Sequence, residues 1–144
     1  MKSDTSSKGA SNRAQGCRDL DIHTAVDTTG FAQTSVLLET ARWTDLFLYD
    51  VKHMDPEKHK LYTGVDNTLI LENLKALTDS GARVAIRIPL IPGLNDDEEN
   101  IERTGRFVAG LKGIVSVHVL PYHAAARNKY AKWGKTYRLP DTLP

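Results

Sequence analysis

Cysteine is almost missing from this sequence: its 144 residues contain one, Cys17. A single thiol cannot form a disulfide within the chain, and an iron–sulfur cluster usually takes three or four cysteines. The count therefore predicts that this chain by itself holds neither.

Long apolar runs and an excess of one charge are missing as well. No run approaches the length of about 20 residues that a membrane-spanning helix needs, and the polar N-terminus lacks the apolar stretch of a secretory signal. With 19 basic and 18 acidic residues, the charge gives no case for nucleic acid or an anionic membrane as a partner. The sequence therefore predicts a cytoplasmic globular protein.

The N-terminal segment differs in composition from the rest of the chain. Residues 1–16 are rich in Ser, Lys, Gly and Asn, with almost no apolar side chains. Such a segment buries too little surface to offset the entropy lost on folding, so we expect it to be disordered or derived from an expression vector. The folded domain is expected over residues 17–144.

Short apolar segments alternate with helical patterns from Ile22 onward. Apolar residues at helical spacing predict helices over Ser35–Trp43, Thr68–Ser80 and Asp96–Leu111. Four segments rich in Val, Ile, Leu and Phe are predicted as strands: Ile22–Asp27, Asp45–Val51, Arg83–Pro89 and Val115–Pro121. Repeated strand–helix–strand units indicate an α/β fold with a parallel sheet and crossover helices. Four strands are too few to close a barrel.

Polar side chains follow the first two predicted strands. Ligands of α/β enzymes bind at the carboxyl ends of the strands. The first strand ends in Asp27-Thr28-Thr29-Gly30, which offers oxygen ligands for a cation or forms an ordinary capped turn. In the second strand Asp50 and Lys52 share one face, where they can bind a zwitterion or pair with each other.

The third and fourth strands add basic side chains. Arg87 lies inside an apolar run, where a guanidinium is costly unless an acid or a ligand anion meets it. Arg87 therefore either contacts a ligand or forms a buried pair with Asp27 or Asp50. His123 follows the fourth strand, as a ligand contact or as an ordinary surface histidine.

Several ordered motifs between Ile22 and Tyr130 resemble one family, the glycyl-radical enzyme activating proteins, a radical S-adenosylmethionine (SAM) family that includes the pyruvate formate-lyase activating enzyme. The motifs are HTAVDTTG (23–30), YDVKHM (49–54), YTGV (62–65), IRIPLIPGLND (86–96) and LPYH (120–123). Together they extend over about three-quarters of the chain.

The resemblance implies an oxidoreductase with a partial (β/α) barrel. In that family a CxxxCxxC loop binds a 4Fe-4S cluster, and one electron from the cluster cleaves SAM to a 5′-deoxyadenosyl radical. The radical removes a hydrogen atom from a glycine of the partner, a glycyl-radical enzyme. The resemblance implies that this chain is the C-terminal part of such a protein, a fragment of a TIM-type barrel.

The resemblance also implies roles for individual residues. Lys52 and His123 would contact SAM, with Arg87 as a further polar contact. Asp27, Thr28 and Asp50 would lie around the methionine end of SAM, where an alkali cation fits between their oxygens. No residue of this chain is assigned a catalytic role.

Two departures from the family pattern carry expectations. The CxxxCxxC loop is absent from this sequence, so we expect weak or undetectable SAM binding and no radical chemistry by this chain alone. Asp21 stands where relatives usually have a helix-ending glycine, so a left-handed turn there is costlier.

Two other functions stay open from the sequence. The chain can be a non-catalytic docking or scaffold half of a split barrel enzyme. It can also be an aldolase-like barrel in which Lys52 forms a Schiff base, although the neighbouring Asp50 opposes the loss of a proton that this needs. An open sheet also leaves strand edges exposed, which predicts self-association, mainly through the strand at Ile22–Asp27.

Overall fold

The computed structural model of this chain describes residues 3–121, and His123 therefore lies outside the described residues. Within this range helices and strands alternate in the order helix, strand, helix, strand, two helices, strand, helix, strand. The elements are α1 Ser3–Asp19, β1 Ala25–Thr28, α2 Thr34–Ala41, β2 Leu46–Asp50, α3 Pro56–Thr63, α4 Thr68–Asp79, β3 Val84–Leu90, α5 Glu98–Ala109 and β4 Ile114–Pro121.

The four strands form one sheet in the order β1-β2-β3-β4, and every neighbouring pair is parallel. Each observed strand overlaps one of the four predicted segments, and α2, α4 and α5 overlap the three predicted helices. The predicted α/β fold, a parallel sheet with crossover helices, is confirmed. All carboxyl ends of the strands therefore lie at one rim of the sheet.

One face of the sheet carries the core. Side chains of β2 alternate in burial: Phe47 and Tyr49 are fully buried, whereas Leu46, Leu48 and Asp50 are half-buried. The buried face packs against helices, chiefly through apolar side chains of α2 and α4 such as Leu37, Leu74 and Leu77. Burying each such side chain stabilises the fold by about 1.5–3 kcal/mol. The other face of β2, with Asp50, is more open.

Helix α1 differs from the sequence-based expectation. The composition of residues 1–16 predicts disorder, whereas the structure has a helix over Ser3–Asp19. Ala14 is buried, and Arg18 Nη1 donates to the Arg42 carbonyl after α2, at 3.3 Å. Contacts with α2 therefore supply stabilisation that the composition of the segment does not reveal.

The connection from α1 to β1 passes through a left-handed residue. Asp21 has a φ of 58° and is the one non-glycine residue with positive φ among the described residues. Its amide donates to Arg18 O at 2.9 Å, and the Ile22 amide donates to Cys17 O at 2.9 Å, which closes the end of the helix. The left-handed turn anticipated for Asp21 is therefore present, at a cost of about 1 kcal/mol relative to glycine.

Candidate functional site

Arg87 joins the acidic residues of two other strands at the carboxyl rim. Its Nε donates to Asp50 Oδ1 at 2.9 Å, and its Nη1 donates to Asp27 Oδ2 at 3.0 Å. Nη2 also pairs with both acids, at 2.7 Å to Asp50 Oδ1. The pairing that the sequence left open as a structural alternative, Arg87 with Asp27 or Asp50, is thus formed with both acids at once.

The strand register explains this arrangement. Asp50 lies directly opposite Arg87 on β3, and Asp27 lies opposite Leu48 on β2. Side chains two residues apart share a face of a strand, so Asp27, Asp50 and Arg87 all project from the half-buried face. Leu48 shares this face with Asp50. Lys52 lies beyond the end of β2, so its predicted shared face with Asp50 stays a prediction. The long side chain of Arg87 extends across β2 and places its guanidinium against Asp27 on β1.

Solvent exposure distinguishes the two carboxylates. The side chain of Asp27 is 63% exposed, whereas those of Arg87 and Asp50 are 23% and 20% exposed. Hydrogen bonding to Asp27 first, and to Asp50 second, raises the pKa of Arg87, while desolvation works against this rise. Asp50 is the sheltered partner, and Asp27 is the one that an incoming molecule meets first.

Thr28 does not join this group. It lies opposite the buried Tyr49, on the other face of the sheet from Asp27. Its Oγ1 accepts a hydrogen bond from the Gly30 amide at 2.9 Å, so its hydroxyl stabilises the turn after β1. Residues 3–121 contain no group of three or more His, Cys, Asp or Glu arranged to hold a metal. The alkali-cation site at Asp27, Thr28 and Asp50 remains a prediction.

Lys52 follows β2 in a loop whose backbone is held by side chains. The Lys52 carbonyl accepts from Asn95 Nδ2 at 2.9 Å. The next two carbonyls, of His53 and Met54, each accept from Asn67 Nδ2 at 2.9 Å. Asn67 and Asn95 are buried. Neither asparagine is among the predicted site residues, although Asn95 lies inside the IRIPLIPGLND motif.

The turn after β1 is held in a similar way by α4. Asn73 is fully buried, and its Nδ2 donates to Gly30 O and Ala32 O, both at 2.8 Å. Tyr49 Oη donates to Ile70 O at 2.5 Å and lies against Gly30. The loops that follow β1 and β2 are therefore both fixed to helices by polar side chains.

An open groove of about 330 Å³ lies at the opposite end of the sheet. It is lined by residues that precede β2 and β3, including Asp45 and Arg83, together with the ends of α2 and α4. The rim with Arg87 lies at the carboxyl ends of the same strands, so the groove is separate from the predicted site.

Within the described range, no helix is both long and apolar enough to span a bilayer.

The fold and the charged rim together define a class of protein. A parallel α/β sheet with opposed charges at its carboxyl rim is typical of α/β enzymes that bind a polar ligand there. Three of the predicted site residues, Asp27, Asp50 and Arg87, are brought together, and Thr28 points to the other face. Lys52 lies two residues after Asp50.

Comparison with known proteins identifies the family. The chain is 45% identical over 123 residues to the trans-4-hydroxy-L-proline dehydratase activating enzyme of Clostridioides difficile, and 38% identical over 133 residues to the choline trimethylamine-lyase activating enzyme of Oleidesulfovibrio alaskensis. The crystal structure of a domain of pyruvate-formate lyase-activating enzyme from Bacteroides vulgatus superposes with a TM-score of 0.78 at 35% identity, covering 84% of this chain and 76% of that one. No protein-family model matches. The chain belongs to the glycyl-radical enzyme activating enzymes.

The chain is much shorter than its curated relatives. The two activating enzymes above match it over 84% and 90% of its length, but it covers only 40% and 43% of theirs. The pyruvate formate-lyase-activating enzyme of Clostridium pasteurianum, 36% identical, is covered to 52%. The chain thus spans about two fifths to one half of the length of the curated relatives it matches.

Proposed function

We propose that this chain is the SAM-binding C-terminal part of a radical SAM activase that generates a glycyl radical on a partner enzyme. The relatives are activating enzymes of glycyl-radical enzymes by name. The observation that carries the proposal is the charge arrangement at the rim. One guanidinium is opposed to two carboxylates, and the more exposed carboxylate belongs to Asp27.

The rim is suited to the amino-acid end of SAM. That end carries an ammonium and a carboxylate, which opposed charges bind together more favourably than either charge alone. Asp27 and Asp50 would attract the ammonium side, and Arg87 and Lys52 the carboxylate side. His123, outside the described residues, is proposed as a further contact from the resemblance alone. When bound, SAM supplies the carbon-centred radical of this family.

A 4Fe-4S cluster does not fit the residues of this chain. The cluster takes three or four thiolates, and the sequence contains only Cys17, on helix α1. This chain therefore lacks the ligand set that such a cluster requires. By itself the chain is proposed to bind SAM weakly and to carry out no radical chemistry.

An NMR titration of the chain with SAM tests this proposal. At millimolar SAM we expect small, saturable shifts of the Arg87 Nε–H signal and of the backbone amides of Asp27 and Asp50. The change Asp50→Asn should reduce the size of these shifts at a given SAM concentration, because it removes the sheltered carboxylate. The change Glu72→Gln, on the exposed surface of α4, removes the same charge elsewhere and should leave the titration unchanged.

Two results would contradict the proposal. Saturable shifts confined to another part of the sheet would exclude the rim as the binding site. Micromolar affinity in the isolated chain would contradict the dependence on a cluster that this chain cannot hold.

A further inference from the structure

The hydrogen-bond ladder between β2 and β3 ends at a proline. The Val51 amide donates to Arg87 O at 2.9 Å. In a parallel ladder the next bond would run from the amide of residue 89 back to β2, and Pro89 has no N–H to donate. Beyond Arg87, another group has to join the two strand ends.

Asn95 supplies that group. Its Nδ2 donates to Lys52 O at 2.9 Å and to Pro89 O at 2.7 Å, one carbonyl from each strand end. Its Oδ1 accepts from the Ile91 amide at 2.7 Å. Asn95 is 4% exposed, so water does not compete for these bonds. The Asn95 side chain thus joins Lys52, the residue after Val51, to the end of β3.

Asn100 extends this connection. Its Nδ2 donates to Asn95 O at 2.9 Å, and its Oδ1 accepts from the Met54 amide at 2.9 Å. Asn95 and Asn100 together bridge Lys52 O and the Met54 amide, two residues apart. These bonds hold the backbone on the carboxyl side of Lys52, and the Val51 amide, bonded to Arg87 O, holds it on the amino side.

We propose that Asn95 is a positioning residue for Lys52. The inference rests on the proposed function, in which Lys52 contacts the amino-acid end of SAM. Lysine has a long stem with several rotatable bonds, and its ammonium reaches one point reproducibly only if the backbone at its base is fixed. Asn95 fixes that base through the Lys52 carbonyl and does not itself contact SAM.

A double-mutant cycle separates positioning from general stability. The four chains are the natural one, Asn95→Ala, Lys52→Met and the double variant, and the measurement is SAM affinity by NMR titration. If Asn95 acts through Lys52, Asn95→Ala weakens SAM binding by at least about fivefold when Lys52 is present and has no effect when it is absent. Equal losses in both backgrounds would overturn the proposal, and so would an Asn95→Ala chain that binds SAM as the natural chain does while Lys52→Met binds it more weakly.

Asn73→Ala is the matched control. Asn73 also donates to two carbonyls from a buried position, but it holds the turn after β1. Its effect on SAM affinity should be the same with and without Lys52. If Asn95→Ala does not fold, Asn95→Asp, which keeps Oδ1 to accept from the Ile91 amide and lacks the Nδ2 donor, takes its place.

Hydrogen exchange distinguishes failure of this inference from failure of the proposed function. If Lys52→Met leaves SAM affinity unchanged, the role of Lys52 in binding is wrong. The exchange rates of the Val51 and Met54 amides then decide the role of Asn95. Asn95→Ala should accelerate both by about tenfold or more, and Asn73→Ala should not. Unchanged rates in Asn95→Ala would overturn the positioning role.

Discussion

His53 is a buried titratable residue beside the candidate site. It is 4% exposed, its Nδ1 accepts from the Asp55 amide at 2.9 Å, and its Nε2 has no hydrogen-bond partner in the described part of the chain. Burial lowers the pKa of His53 from its ordinary 6.5, and the charge of Lys58 lowers it further, while Asp97, Asp55 and the backbone at Leu94 act in the opposite direction. The folded state therefore disfavours the imidazolium.

The pH dependence of stability follows from the direction of that shift. The unfolded chain binds a proton at His53 below pH 6.5, and the folded chain binds it only at lower pH. The free energy of unfolding is therefore expected to fall as the pH drops below 6.5, by at most about 1.4 kcal/mol per pH unit from this group. Urea denaturation between neutral and mildly acidic pH measures the slope.

The substitution His53→Asn tests the assignment. The asparagine Oδ1 can still accept from the Asp55 amide, so the slope should decrease while the fold is kept. His118→Asn, at an exposed histidine of β4, should leave the slope as it is. An unchanged slope in His53→Asn would show that other groups control acid stability.

The residues of the rim differ in how far the sequence predicts them. Asp27, Asp50 and Arg87 could be predicted because charges at the ends of apolar strands are unusual, and a parallel sheet brings such ends together. Asn67, Asn95 and Asn100 could not. An asparagine in a loop is ordinary in sequence, and only the folded chain shows which distant carbonyls it meets.

At the scale of elements, the sequence predicts helices with an apolar face and misses those without one. Helix α3 has one large aliphatic side chain, Leu61, which is 73% exposed. Its N-terminal residues favour the helix instead. Asp55 Oδ1 accepts from the Lys58 amide at 2.9 Å, and Pro56 occupies the first turn. An Asp-Pro pair was the available signal for this helix.

The turn after β1 illustrates how tightly neighbouring elements meet. Gly30 has a φ of 77°, and a Cβ at this position would overlap the hydroxyl and ring of Tyr49. Tyr49 is fully buried and bonded to α4 through Ile70 O. Neither the backbone conformation nor the contact therefore admits a side chain larger than hydrogen.

Gly30→Ala is expected to destabilise the fold by more than about 2 kcal/mol, because a strained backbone is added to an overlap with a fixed ring. Gly81→Ala is the matched control: its φ is 89°, but nothing lies within 4 Å of the added carbon. It should cost about 1 kcal/mol. Chemical denaturation measures the free energy of unfolding of both variants. Equal decreases in the two would contradict the role of the Tyr49 contact.

At the scale of the whole molecule, the sheet has two free edges within the described range. Strands β1 and β4 each pair on one side only. Leu20 and Ile22, which precede β1, are 75% and 52% exposed. Unpaired strand edges beside exposed apolar side chains favour association with another chain.

Self-association of this chain is therefore the expected behaviour in solution. Sedimentation equilibrium should give a concentration-dependent dimer, and the combined change Leu20→Lys and Ile22→Lys should shift it toward monomer. Leu61→Lys, which removes an equally exposed leucine from α3, should leave the dimer intact. A natural chain that stays monomeric at all concentrations would rule this out.

The pairing of Arg87 with Asp27 and Asp50 affects which molecules can bind at the rim. Its two carboxylate partners leave the trio with one uncompensated negative charge. A simple anion is repelled by that charge, and a simple cation must compete with a guanidinium already in place. A group that carries both charges can pair with the carboxylates and the guanidinium together, so we expect the rim to favour a zwitterionic group over a simple ion.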